Sequence, residues 1–422
     1  MKKPLLLRIH CILTAVYLIF VLFLPRVGSH LKVSELLVPF LVVSTLIQAY
    51  QVQRVLTNRI LALCLLFFLL VIVSNALSFV LFGTNLIYLM ILPIRFVEIL
   101  LMLFAVPVAV NAYPKQSFMV LFYSFLVLFG YTVLNVVFAF QPGYYGLVVL
   151  PGETGPNQVG ITFGFFALFF LWIYLAKYFL LTHRLITPVI SRLSLLLFGL
   201  SLFLVLLNVQ RTSILAVIFC TVLSLLLALF IRYKDIIMQN LKLMSLLGLS
   251  AVAVVYLVNL LGGDLLNTLL YVARRFEAFD SASNIRITRW ISFFNLDPWS
   301  GLTSFFGVGL GSHNFFYGTG DFTLRFDSLP LRLLFETGIF GLLAFIALHA
   351  VILIVVYKRS RIIGLFTLLL FLFMSVMSIT FEAPFVYVPG TMFYTLVGLS
   401  IGISYHLSVR TIRTIKVAES SF

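Results

Sequence analysis

Apolar runs of about 20 residues recur along the whole chain, and they limit its possible folds more than any other feature. Residues 9–25 read IHCILTAVYLIFVLFLP and residues 195–207 read LLLFGLSLFLVLL. A bilayer's hydrocarbon core is about 30 Å thick, and an α-helix crosses it in roughly 20 residues. Backbone N–H and C=O groups find no partner in hydrocarbon, so a spanning segment must be a helix or belong to a closed barrel. These runs lack the period-2 alternation of barrel strands, which selects helices. The 422 residues are 62% hydrophobic and 10% charged, with a mean hydropathy of +1.17, far from a soluble domain. The expected fold class is an all-α polytopic membrane protein.

Spans are expected at 9–25, 36–50, 60–82, 86–111, 118–140, 160–181, 193–209, 212–231, 243–261, 331–356, 362–380 and 391–408, twelve transmembrane helices in all. The N-terminus resembles a signal peptide but lacks a small-residue cleavage site, so it reads as an uncleaved first span. One set of alternate connections carries Arg54, Arg59, Lys115, Arg184, Arg192, Arg232, Lys234, Lys242, Lys358, Arg359 and Arg361. Apart from the long connection 262–330 and its edge, the other set carries only Arg26, Lys32 and Arg211. By the positive-inside rule both termini are cytoplasmic and 262–330 is extracytoplasmic. That asymmetry also accounts for the net charge of +15 without nucleic acid, since no basic run with interleaved surface aromatics remains. Cys11, Cys64 and Cys220 all fall inside apolar runs, which argues against a disulfide framework or a thiolate metal site.

Residues 1–422 read as a single transmembrane domain, with the large loop 262–330 inserted as a cap between spans 9 and 10. The loop gathers Arg274, Arg275, Arg286, Arg289 and Arg325 with Asp264, Glu277, Asp280, Asp297, Asp321 and Asp327. Within it, Ile287, Trp290, Ile291 and Phe294 stand at i, i+3, i+4 and i+7, one apolar stripe of a short amphipathic helix. Such a helix lies in the membrane interface, with Arg286 and Arg289 on its other face at headgroup depth. Arginine suits phosphate because its planar fork donates two parallel hydrogen bonds and stays charged. A plain solvated loop is the competing account, since the charges nearly cancel.

Arg211, in LLNVQRTSILAV, sits at an outer span boundary with Asn208, Gln210, Thr212 and Ser213 around it; the bland alternative is a snorkelling side chain. Arg95 and Glu98 lie inside a span, where ionisable groups are functional candidates, yet at i and i+3 they can neutralise one another. Glu382, in TFEAPF, is a comparable candidate at an outer helix end. The glycines of GVGLGSHNFF invite comparison with phosphate cradles. Their spacing fits neither a P-loop nor the dinucleotide fingerprint, so close backbone packing is the expected use. His313, which follows them, could be acid, base or simple hydrogen-bonding partner.

The combination of LLNVQRTSILA, a long outer loop, GVGLGSHNFF and DSLPLRLLFETGIFGLLAF resembles the O-antigen polymerase and ligase family of bacterial envelope proteins. PGETGPNQVGITFGFF resembles that family's Gly-Pro-Asn element and brings in Asn157. The resemblance implies a GT-C-like glycosyltransferase fold in the bacterial inner membrane, with its site on the periplasmic face. It implies an oligosaccharide on undecaprenyl diphosphate as donor, membrane lipids as surroundings, a chain-length regulator as possible partner, and no cofactor. By position Arg211 matches the arginine opening the family's central helix, and Arg289, or Arg286, its loop arginine. Asp327-Ser328 stand where the ligases carry His-Asn ahead of the Glu of Glu-X-Gly-Ile, here Glu336. The resemblance therefore points to a polymerase, with Asp327 as general base, or His313 in its place, and with Arg211 and Arg289 stabilising the leaving diphosphate. Arg275, Arg286, His313, Glu336 and Asn157 are expected to contact substrate. Arginines can supply the countercharge, so no metal is required. A ligase is the nearest alternative. A flippase or solute transporter is the alternative from another class, and the concentration of polar residues in one loop counts against it.

Overall fold

A computed structural model describes residues 5–23, 26–27, 31–138, 156–176, 188–207, 211–231, 301–312, 328–380 and 387–419. The expected span 243–261 lies outside these residues, as does most of the loop 262–330. Helix α1 (Leu5–Phe23) leads into the two-residue strands β1 (Arg26–Val27) and β2 (Leu31–Lys32), which pair antiparallel with Arg26 opposite Lys32. Then come α2 (Val33–Ile47), α3 (Ala49–Leu56), α4 (Asn58–Phe82), α5 (Leu86–Ala112), α6 (Pro114–Phe138), α7 (Pro156–Ala176), α8 (Pro188–Leu207) and α9 (Arg211–Ile231). The described chain resumes with α10 (Leu302–Phe306), α11 (Leu329–Arg359), α12 (Arg361–Thr380) and α13 (Tyr387–Glu419). Proline opens α6, α7 and α8, where the missing N–H would have had no helical partner.

Among the described residues, five helical segments are long and apolar enough to cross a membrane: Asn58–Phe82, Pro93–Ala112, Leu329–Arg359, Arg361–Ile379 and Pro389–Val409. The chain is thus an all-α membrane protein. The run expected as one span at 36–50 is instead broken, because α2 and α3 meet at 76°. The reason lies in AYQVQRVL, whose apolar Val52, Val55 and Leu56 are buried while Gln53 and Arg54 are exposed. That amphipathic turn packs inward only by leaving the line of α2. Arg359, at the end of α11, donates from Nη1 to the Val55 carbonyl (2.7 Å) and lies over the Tyr405 ring of α13, joining the three helices.

Helix association gains little from the hydrophobic effect in lipid, so close packing must hold the bundle. Two devices supply it. In α13, Gly398 and Gly402 form a small-xxx-small pair. A Cβ at Gly402 would lie 2.7 Å from Val110 Cβ of α5, and one at Gly398 would lie 2.9 Å from the Met102 carbonyl oxygen. In α6, Phe118, Phe122, Phe125 and Phe129 form one stripe that meets Phe163, Phe166, Phe169 and Phe170 of α7, with Phe125 and Phe169 centroids 4.8 Å apart. Every residue from 160 to 176 is buried, so α7, which is apolar all round, runs through the interior.

Candidate functional site

The site begins with a broken helix. Gly338 interrupts α11 with φ +67° and ψ −175°, a conformation essentially reserved for glycine. A helical carbonyl accepts from the residue four positions later, so the break strips Phe335 and Glu336 of their usual donors. Residues 307–312 replace them. Val308 N–H donates to the Phe335 oxygen and Gly309 N–H to the Glu336 oxygen, both at 2.9 Å. The hydroxyl of Ser74, on α4, also donates to the Glu336 carbonyl while accepting from Gly309 N–H at 2.8 Å.

The Glu336 side chain, fully buried, completes this junction. Its Oε1 accepts from Gly311 N–H (3.0 Å), and its Oε2 forms an ion pair with Nε of Arg332 at 3.0 Å, one turn earlier. Asn75 Oδ1 accepts from Leu310 N–H at 2.6 Å, and its amide donates to the Leu89 carbonyl at 2.7 Å, so α4 and α5 both hold the same strip of chain. Gly307 faces the kink directly. A Cβ there would overlap the Glu336 carbonyl, just as one on Gly338 would overlap that of Phe305.

This arrangement settles the use of GVGLG. The amides of Gly307, Val308, Gly309, Leu310, Gly311 and Ser312 all donate to protein acceptors, leaving none to cradle a phosphate. The glycines serve close backbone packing, as their spacing implied. Removing one support should show the effect: Asn75→Ala leaves Leu310 N–H buried without its acceptor. A loss of about 1–3 kcal/mol is expected, read as a lowered unfolding midpoint in detergent.

Among the residues singled out from sequence, Glu336 is placed at the centre of this cluster. Arg211 is the first residue of α9 and Asn157 the second of α7. Asp327, Arg289, Arg286, Arg275, His313 and Glu382 lie outside the described residues. Gly311, two residues before His313, and Arg332, on the turn after Ser328, are both bonded to the Glu336 carboxylate. The N-cap position of α11 is held by Ser328, whose side chain makes no capping hydrogen bond. Arg332 is engaged by Glu336. Arg95 is exposed and Glu98 buried, and the expected ion pair between them does not form. Sequence reasoning missed the bracing roles of Ser74 and Asn75. The available signal was two adjacent polar residues inside an apolar span.

A second feature starts at the same place. Between α11 and α12 runs an apolar groove of about 480 Å3, from Leu329 and Pro330 at the N-terminal end of α11 past Phe345 to Leu353. His349, which lines it, is internally satisfied: Nδ1 donates to the Phe345 carbonyl (2.7 Å), which leaves Nε2 to accept from the Tyr394 hydroxyl (3.1 Å). No three His, Cys, Asp or Glu side chains gather as metal ligands among the described residues. No protein-family model matches the chain, and no curated protein is significantly similar to it.

Proposed function

We propose that this chain is a membrane glycosyltransferase that polymerises oligosaccharide repeats carried on polyprenyl diphosphate, at the extracytoplasmic face of a bacterial cytoplasmic membrane. The observation that carries the reading is the convergence at the N-terminal end of α11. There Gly311 and Arg332 meet at the Glu336 carboxylate, and Leu329 and Pro330, the second and third residues after Asp327 in the sequence, line an apolar groove that suits a polyprenyl chain. In the reaction the acceptor sugar hydroxyl loses its proton to the Asp327 carboxylate. Its oxygen bonds to the anomeric carbon of the growing glycan, and the bond from that carbon to polyprenyl diphosphate breaks. Arg211 and Arg289 hold the departing diphosphate and offset its charge. The Glu336–Arg332 pair holds Gly311 to the start of α11 and serves as a positioning element in this reading.

Asp327→Asn tests the base. It keeps shape and most hydrogen bonds but removes basicity, and general acid–base assistance contributes typically about 10²–10⁴ in rate. In a purified assay with lipid-linked repeats, turnover should fall by that order while the variant still binds the donor. Near-wild-type turnover would remove Asp327 as the base, and wild-type polymer from Arg211→Lys and Arg289→Lys as well would remove the whole proposal.

A further inference from the structure

We propose that a cleft between α1, α5 and α6 seats one anionic phospholipid from the leaflet on the N-terminal side, its phosphate at Arg8 and one acyl chain along the cleft. The cleft measures about 370 Å3, within the range of roughly 300–1,000 Å3 usual for small-molecule sites. Its rim is polar, with Arg8, Gln116 and Ser117, and its depth is apolar, with Ala15, Leu18, Val106 and Leu121. That division matches an amphiphile. It does not match a sugar, which would need polar partners throughout, or a metal.

Charge and depth narrow the occupant. Arg8 is exposed and makes no ion pair among the described residues, and Lys115, next to Gln116, is exposed at the same end. An arginine in the lining, with a lysine beside the lining residue Gln116 in the sequence, favours a lipid with net negative charge over a zwitterionic one. Leu18 lies about ten residues beyond Arg8, roughly 15 Å along a helix. That is half of a hydrocarbon core of about 30 Å, so the cleft runs the depth of a single leaflet. The cleft is preformed because its back wall is tied together: buried His10 of α1 is hydrogen-bonded to Ser44 of α2 (3.0 Å) and to the Ala105 carbonyl of α5 (3.2 Å). Ala15 and Ala109, both small, leave the space open where α1 passes α5.

The test is native mass spectrometry of the delipidated full chain titrated with dioleoylphosphatidylglycerol or dioleoylphosphatidylcholine. Wild-type protein should retain one phosphatidylglycerol at activation energies that strip the others, with at least about tenfold preference over phosphatidylcholine, a difference of about 1.4 kcal/mol. Ala15→Phe, which fills the cleft, should abolish the retained adduct. Arg8→Gln should bring the preference near parity, whereas Arg59→Gln, which removes an exposed cation elsewhere, should leave it unchanged. An adduct that survives Ala15→Phe, or equal losses from Arg8→Gln and Arg59→Gln, would overturn the proposal. If Ala15→Phe yields no folded protein, the two arginine variants decide alone.

Discussion

Gly338→Ala is expected to prevent stable folding, not merely to lower activity. Its φ of +67° with ψ of −175° costs a non-glycine residue about 1–3 kcal/mol. The added Cβ also overlaps the Phe305 carbonyl, so residues 301–312 must move away. Their withdrawal strips the Phe335 and Glu336 carbonyls of Val308 and Gly309 N–H, and each buried polar group left unsatisfied adds about 1–3 kcal/mol. The total exceeds what single substitutions usually cost. Gly83→Ala is the matched control. Gly83 also has positive φ, +60°, but a Cβ there meets nothing within 4 Å. It should cost only about 1–2 kcal/mol, the left-handed backbone alone. Membrane abundance and thermal unfolding in detergent distinguish the two, and a Gly338→Ala protein as stable as Gly83→Ala would refute the packing account.

Glu336→Gln should produce the second large loss. Removing one partner of a buried ion pair is strongly destabilising, at about 3–5 kcal/mol. Glutamine retains an oxygen for Gly311 N–H, so the loss reports on Arg332 and not on the loop contact. Adding Arg332→Met removes the other member of the pair, and the double variant should recover more than half of the lost stability. Additive losses in unfolding midpoints would show that the two side chains are not energetically coupled. Activity should follow stability in these variants, whereas Asp327→Asn should lose activity with stability intact.

Much of the architecture was legible in the chain because spans are written in composition. Lipid enforces helices wherever about 20 apolar residues run together, with no need to know their neighbours. The break between α2 and α3 escaped that reasoning, since QVQRVL is short and its three buried apolar residues reveal an amphipathic turn only once α3 packs inward. The Arg95–Glu98 pair was inferred from helical spacing, but spacing does not say that Glu98 is turned into the bundle and Arg95 out of it. The resemblance of LPLRLLFETGIFG to a family motif drew attention to Glu336 but said nothing of its partners.

By itself, then, the sequence determined what depends on local chemistry: helical spans, the apolar all-round character of α7, the helix-opening prolines, and glycines suited to close backbone packing. Only the tertiary structure decided what depends on contacts between residues far apart in the chain. Ser74 and Gly309 are separated by 235 positions, and the Ser74 hydroxyl and the Glu336 carbonyl by 262. A helix break at Gly338 is stable only because another segment arrives to satisfy the carbonyls it frees. No local propensity encodes that arrival, because a buried carbonyl requires a donor of the right geometry but not one from any particular place in the chain.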